Sequence, residues 1–262
     1  MTRRDIDDRD SEAWAALRSL TAARIGLKRA GASLATAPLL DFRLAHARAR
    51  DAVQAPFEQA RLHRRLAEAG PSVLSVASAA ADRRAYLMRP DLGRRLSADA
   101  EAILAPRAAA WDLVLVVTDG LSAQAVERHA APVLAGLLPT LTAEGWRVAP
   151  LVVVRHGRVA VGDAVATALG ADSVVVLIGE RPGLSSPDSM GAYLTWRPQP
   201  ATTDADRNCL SNIRADGVLP AAAAVTLMHL LRAMRARRLS GVRLKDESDA
   251  VRDDRAGEAK IR

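Results

Sequence analysis

Polar and charged residues gather in two stretches of the C-terminal half, and their types could bind a ligand. Glu180 and Arg181 stand in GERPGL, directly after the apolar run Val174–Ile178. The second stretch, residues 202–214 (TTDADRNCLSNIR), contains the only cysteine, Cys209. Open α/β sheets bind ligands outside the carboxyl ends of their strands. We therefore expect the two stretches to form facing walls of one binding site.

The same residues do not match common catalytic motifs. Cys209 could act as a nucleophile only if the fold brought a histidine base within reach, and a single cysteine is more often buried than catalytic. No group of Cys, His and carboxylate residues has the short spacing of a zinc site. Asp204 and Asp206 are typical of a hydrogen-bonded turn. Glu180 and Arg181 could bind a ligand or form a structural ion pair, and the sequence leaves both open.

The elements that must position these residues alternate between strand and helix from residue 108 onward. Apolar runs at Leu113–Val117, Val148–Val154 and Val174–Ile178 predict three buried strands, with helical patterns between them. Such alternation is typical of a parallel sheet. Each strand precedes a polar turn, in the order TDGLS, RHGRV and GERPGL. Because the carboxyl ends of parallel strands share one edge of a sheet, we expect the three turns to converge.

The fold class that these patterns predict is α/β, a Rossmann-like, mostly parallel sheet with flanking helices, preceded by a small N-terminal helical region. We expect that region to cover residues 1–72 and the Rossmann-like domain to cover residues 73–242. Residues 243–262 are charged and almost without apolar content, which predicts a disordered tail. We also expect a strand at Tyr86–Met88 and an irregular polar loop over residues 202–214.

Composition limits the class of partner. The chain has 262 residues and a net charge of +7, but its basic residues are spread along the sequence among acidic ones, and aromatic residues make up only 3%. Nucleic-acid binding needs clustered charge or stacking platforms, so we do not expect it. No apolar run approaches the roughly 18 residues of a membrane span. A single cysteine fits a reducing cytoplasm.

The order of several motifs resembles the small (light) subunit of ethanolamine ammonia-lyase. The similarity extends over residues 20–242, and the pair GERPGL and DRNCLSNI is specific to that family. The motifs, in sequence order, are ARIGLKRAGASLATAPLLDFRLAHARARDAV, YLMRPDLGRRL, VTDGLSAQAV, RHGRVAVGD, GERPGLSSPDSMGAYLTWRP, TDADRNCLSNIR and RLSGV.

The resemblance implies a carbon–nitrogen lyase that uses adenosylcobalamin and radical chemistry to convert ethanolamine into acetaldehyde and ammonia. In that family the large subunit, a TIM barrel, holds the substrate, and the small subunit closes over the cobalamin at the interface. The resemblance therefore implies a hetero-oligomer in which this chain has no catalytic residue and no metal ligand. The implied cobalamin contacts are Val159 in RHGRV, Glu180 in GERPGL and Cys209 in DRNCLSNI, and region 1–72 would contact the large subunit.

Two further expectations depend on this resemblance. The Asp-x-His-x-x-Gly motif that replaces the lower cobalt ligand in some cobalamin enzymes is absent, so we expect the cofactor's own base to stay on cobalt. Some relatives live in bacterial microcompartments and carry a longer N-terminal extension, which this chain lacks; we expect a cytoplasmic protein, with encapsulation open. The alternative function is a stand-alone α/β binding or scaffold protein for another nucleotide-like ligand.

Overall fold

The computed structural model describes residues 13–27, 29–68 and 72–245. These residues form two compact units. One contains the described residues up to Asp51 together with Gly183–Ser186, and the other contains Ala52–Pro182 and the described residues from Pro187 onward. The expected disordered tail lies outside the described residues from residue 246 onward, as does the start of the N-terminal region.

The first unit consists of short elements and the start of one long helix. Helix α1 is described over residues 13–19, and helix α2 begins at Thr36, in agreement with the helical character expected of this region. Between the two helices lies a small antiparallel hairpin, formed by β1 (Arg29–Ala30) and β2 (Ser33–Leu34). Gly31 makes this turn possible because its φ of 64° lies in the left-handed region. Helix α2 (Thr36–Gln54) continues into the second unit.

The second unit is built on a six-stranded sheet with the order β3-β5-β4-β6-β7-β8. The first four strands in this order are parallel, and β7 and β8 are antiparallel to their neighbours. The predicted α/β fold with a mostly parallel sheet is therefore confirmed. The strands are β3 (Val73–Ala77), β4 (Val114–Thr118), β5 (Leu151–Arg155), β6 (Ser173–Gly179), β7 (Met190–Trp196) and β8 (Arg207–Ile213).

Helices cover both faces of this sheet, which explains the continuous apolar runs of its central strands. Leu115 and Val117 of β4 join a core with α6 and α8, whereas Val114 and Val116 join a second core with α5 and α7. A strand buried on both faces gains from apolar residues at every position. The helices of the unit are α3 (Gln59–Ala67), α4 (Arg83–Met88), α5 (Ala98–Leu104), α6 (Ala123–Ala143), α7 (Val161–Leu169) and α8 (Pro220–Arg237).

The strand expected at Tyr86–Met88 is wrong, because these residues form the end of helix α4. Asp82 begins this helix, and its side chain accepts a hydrogen bond from the Ala85 N–H at 2.7 Å. Such a cap satisfies a free N–H of the first turn and favours the helix. Three apolar-rich residues were too short a run to separate strand from helix.

The irregular loop expected over residues 202–214 is also wrong in its larger part, because Arg207–Ile213 form strand β8 at one edge of the sheet. Its residues alternate only weakly between buried and exposed, and most of them are polar, so the sequence lacks the pattern of a half-buried strand. The hydrogen-bonded turn expected at the two aspartates is confirmed, since Asp206 accepts a hydrogen bond from the Thr203 N–H at 2.8 Å.

Candidate ligand-binding site at the carboxyl edge of the sheet

Three strand ends meet at one pocket of about 450 Å³, as the alternation of strands and helices predicts. Leu121 follows β4, Arg158 and Val159 follow β5, and Ile178–Arg181 end and follow β6. Tyr86 and Tyr193 complete the lining. Of the three expected cofactor contacts, the structure therefore places Val159 and Glu180 in the same pocket.

The position of the pocket follows from the strand order. Strand β4 leads through α6 to β5 on one side, and β5 leads through α7 to β6 on the other side of β4. The crevice left at such a change of direction is where open α/β sheets bind ligands. The turn after β4 is tightly packed here, because a Cβ at Gly120 would lie 2.3 Å from the carbonyl oxygen of Gly179.

Asp119 forms the buried base of this edge. It is 1% exposed, and its carboxylate accepts hydrogen bonds from the backbone N–H of His156 at 2.6 Å and from Nη1 of Arg83 at 3.3 Å. Its Oδ2 also lies 3.1 Å from Nδ1 of His156. His156 has a φ of 60°, a backbone conformation that is rare outside glycine. Asp119 therefore fixes the turn that leads to Val159.

Arg158 forms a cationic wall of the pocket. Its guanidinium carbon lies 4.2 Å from the centre of the Tyr86 ring, and its Nη2 donates to the Tyr86 carbonyl at 3.1 Å. Burial raises the pKa of Tyr86 to about 12, so this phenol stays neutral at physiological pH. The Tyr86 hydroxyl and Nε of Arg158 are both buried and have no hydrogen-bond partner within the described residues.

Glu180 lies at the end of β6 and is held by neutral donors. Ser189 and Ser211 each donate a hydroxyl hydrogen bond to its carboxylate at 2.5 Å, and the backbone N–H of Asn212 donates at 3.2 Å. No salt bridge joins Glu180 to Arg181 in the part of the chain that the structure describes. Of the two possibilities for this pair, the geometry favours ligand binding.

Cys209 lies on β8, directly across the β7–β8 ladder from Tyr193. It is exposed and reaches the pocket's neighbourhood through that tyrosine rather than by lining the pocket itself. Partial burial raises the pKa of the Cys209 thiol, and the negative charge of Glu180 acts in the same direction, against the effect of Tyr193. A thiol that keeps its proton is a poor nucleophile. The raised pKa therefore argues against a nucleophilic role for Cys209.

The arginines of the candidate stretches divide into two kinds. Arg207 is buried, and its Nη1 and Nη2 each donate to the Asp163 carboxylate at 2.6 Å, so it is part of the fold. Arg158 and Arg181 line the pocket.

The described residues contain no cluster of three or more His, Cys, Asp or Glu side chains that could hold a metal ion. Among them there is also no helix with the length and apolar content needed to cross a membrane. The pocket lining combines an acceptor, Glu180, with the donors Arg158 and Arg181. Such a lining suits a polar, uncharged ligand group with both N–H and C=O.

The sequence pattern missed part of this site. Ser189 gave no signal, because it stands in a short serine-containing loop without a motif. Tyr86 was assigned to a strand that does not exist, so its proximity to Arg158 could not be anticipated. Asp119 lies in an expected polar turn. The sequence alone does not show whether such a carboxylate binds a ligand or forms hydrogen bonds within the protein.

The family model for the ethanolamine ammonia-lyase light chain matches residues 11–245. An ethanolamine ammonia-lyase small subunit of Azotobacter vinelandii is 54% identical over 248 residues, which cover 93% of this chain and 92% of the relative. The protein of that name from Ralstonia nicotianae is 54% identical over 240 residues, covering 90% of this chain and 89% of the relative. The one from Pseudomonas fluorescens Pf-5 is 54% identical over 239 residues, covering 90% and 87%.

Proposed function

The chain belongs to the ethanolamine ammonia-lyase light-chain family, and from this premise we propose that it is the small subunit of an adenosylcobalamin-dependent ethanolamine ammonia-lyase. In complex with a large subunit it acts as a carbon–nitrogen lyase that converts ethanolamine into acetaldehyde and ammonia. The chain binds and covers the cofactor, and the large subunit holds the substrate and the catalytic residues.

The observation that carries this proposal is the placement of Val159 and Glu180 in one pocket at the carboxyl edge of the sheet. The corrin ring of cobalamin carries primary amide side chains, which need both acceptors and donors. Glu180 supplies an acceptor and Arg158 supplies donors on another wall of the same pocket. The residues present therefore fit the periphery of a corrin ring.

Each proposed contact has a distinct physical role. The Glu180 carboxylate accepts an N–H from a corrin amide, and Val159 gives apolar contact to the ring. Cys209 lies on the strand beside Tyr193. Its side chain is small and uncharged, so the cofactor can approach closely without burying an ion. Adenosylcobalamin held by these residues would supply the radical chemistry through its cobalt–carbon bond. The task of this chain is to orient the cofactor and exclude water.

The need for a partner is supported by the first unit. Large apolar side chains of this unit are exposed, including Leu20 at 82%, Leu40 at 56% and Leu44 at 51%. Exposed apolar surface of this kind marks an interaction site. We propose that the large subunit covers this region, in line with the expected role of residues 1–72. The relatives described above carry small-subunit names, and nothing in them favours the stand-alone alternative.

The cytoplasm is the proposed location, because a single cysteine cannot form an internal disulfide, which fits a reducing compartment. Encapsulation in a microcompartment would be tested by fractionating cells grown on ethanolamine. Recovery of the chain with shell proteins would show encapsulation, and recovery in the soluble fraction would exclude it.

Reconstitution tests the proposed function. The chain, a large subunit and their mixture are each assayed for ethanolamine deamination with adenosylcobalamin. We expect activity only in the mixture, together with corrin absorbance that coelutes with both chains on gel filtration. Deamination by the isolated chain, or an active large subunit that gains nothing from the chain, would reject the proposal.

A further inference from the structure

We infer that Ser189, Ser211 and a β-bulge in β8 position the Glu180 carboxylate and leave it a single free accepting position for the ligand. The inference depends on the proposed function, because it takes the ligand of Glu180 to be the cofactor. Ser189 and Ser211 make no ligand contact themselves. The group of the ligand that Glu180 binds is a single N–H donor.

The bulge lies where β7 and β8 approach the end of β6. Between Met190 and Ala192 of β7, the single residue Gly191 faces two residues of β8, Ser211 and Asn212. Asn212 adopts a φ of 63°, in the left-handed region that asparagine tolerates better than most residues. Such bulges turn side chains and backbone groups away from the regular ladder and are frequent next to active sites.

The extra residue brings two donors to one carboxylate. Oε1 of Glu180 accepts from the Ser211 hydroxyl at 2.5 Å, and Oε2 accepts from the backbone N–H of Asn212 at 3.2 Å. In a regular strand, successive residues point to opposite faces of the sheet. The bulge therefore explains how the side chain of one residue and the backbone of the next reach the same group.

A glycine gives the carboxylate its space. A Cβ at residue 191 would lie 2.8 Å from Oε1 of Glu180 and 3.2 Å from the Tyr193 ring. Any larger side chain would push the carboxylate or the ring aside. Ser189, which precedes β7, completes the arrangement with its hydroxyl 2.5 Å from Oε2.

The number of donors defines what the ligand can offer. An ionised carboxylate has about four accepting positions. Ser189, Ser211 and Asn212 occupy three of them. All three donors are neutral, so the negative charge is held without being cancelled by a cation. One N–H of a neutral amide fits the remaining position, and this matches the side chains of a corrin ring.

The first test measures cofactor affinity of the complete complex. Chain variants are assembled with a large subunit, and adenosylcobalamin binding is measured by equilibrium dialysis. Ser211→Ala removes a hydrogen bond to a charged group, and we expect the dissociation constant to rise about three- to tenfold. The loss should appear in the dissociation constant more than in kcat at saturating cofactor, because Ser211 acts on a binding group and touches no reacting atom. Ser211→Thr keeps the hydroxyl and should restore the affinity.

The matched control is Ser75→Ala. Ser75 lies on β3, at the opposite edge of the sheet, and its hydroxyl lies 2.8 Å from Nδ1 of His63. This variant also loses a serine hydrogen bond of similar length, but on the edge strand farthest from β8. We expect its cofactor affinity to equal that of the unmodified complex.

A double-mutant cycle separates positioning from general structural support. In a Glu180→Ala background, Ser211→Ala should cause no further loss of affinity, because the group it positions is gone. An equal loss in both backgrounds, or no loss with Glu180 present, would overturn the inference. If the unmodified complex binds no adenosylcobalamin, the proposed function itself fails, and this outcome is distinct from the other two.

Discussion

Two carboxylates stand at the ends of neighbouring strands and do different work. Asp119 follows β4 and is 1% exposed, and its partners are the side chain of Arg83 and both the backbone and ring nitrogens of His156. Glu180 follows β6, lines the pocket and is held by two hydroxyl groups and one backbone N–H.

The difference shows that the partners of a carboxylate decide whether it builds the site or meets the ligand. The Asp119 charge is balanced by a cation and is inaccessible to a ligand, so Asp119 serves only to hold parts of the fold together. The Glu180 carboxylate is oriented by neutral donors and, by our inference, keeps one accepting position for the ligand. Position at a strand end is common to both and distinguishes neither.

The largest expected effect is that of Asp119→Ala. The change leaves Arg83 without its carboxylate partner and releases the His156 turn. Removal of one member of a buried ion pair costs about 3–5 kcal/mol. We expect the free energy of unfolding, measured by urea denaturation, to fall by about this amount. A loss below about 1 kcal/mol would show that Asp119 does not hold the fold.

Glu180→Ala should separate binding from stability. The variant removes the free acceptor, and we expect the affinity of the reconstituted complex for adenosylcobalamin to fall about ten- to a hundredfold. Its urea midpoint should stay close to that of the unmodified chain, because the donors left without a partner are neutral and no buried charge loses its counter-ion. A large loss of stability with unchanged affinity would show that Glu180, like Asp119, stabilises the fold and does not bind the ligand.

Cys209→Ser should have a smaller effect. The thiol is exposed and protonated, so the change keeps size and neutrality near the proposed cofactor edge. We expect kcat of the reconstituted complex to change less than about twofold and stability by less than about 0.5 kcal/mol. A loss of activity of about a hundredfold or more would assign the thiol a chemical role.

His129 should give the smallest effect, visible only as a dependence on pH. Burial lowers the pKa of His129 below its ordinary value of 6.5, as does the charge of Arg128, while Asp188 opposes them. The unfolded chain therefore binds the proton more readily, and stability should decline as the pH falls below about 6.5. His129→Gln should make urea unfolding less sensitive to pH between about 7 and 5.5. An unchanged pH dependence would contradict this.

The central strands of the fold were predictable, and the edge of the sheet was not. Leu113–Val117 and Val174–Ile178 are buried on both faces, so their continuous apolar runs reflect a constraint on every residue. Strand β8 is an edge strand whose polar residues face solvent and the site, and it carries no such pattern. The missed strand is also the one that positions Glu180.

For the candidate site, the sequence predicted only that the turns after the parallel strands converge at one edge of the sheet. Strand alternation indicated that RHGRV and GERPGL meet, because parallel strands share an edge. The partners of Glu180 depend on a bulge, and a bulge is set by the pairing of two strands rather than by the local sequence. The choice of Val159, Glu180 and Cys209 as cofactor contacts came from family resemblance and stays a prediction.

A structure of the complex with a large subunit and adenosylcobalamin tests the central claim most directly. We expect a Glu180 carboxylate oxygen to lie within hydrogen-bond distance of one corrin amide nitrogen, with both serine bonds retained. Asp119 should make no contact with the cofactor. A corrin ring placed away from Glu180, or in contact with Asp119, would show that Glu180 is not the ligand-binding carboxylate.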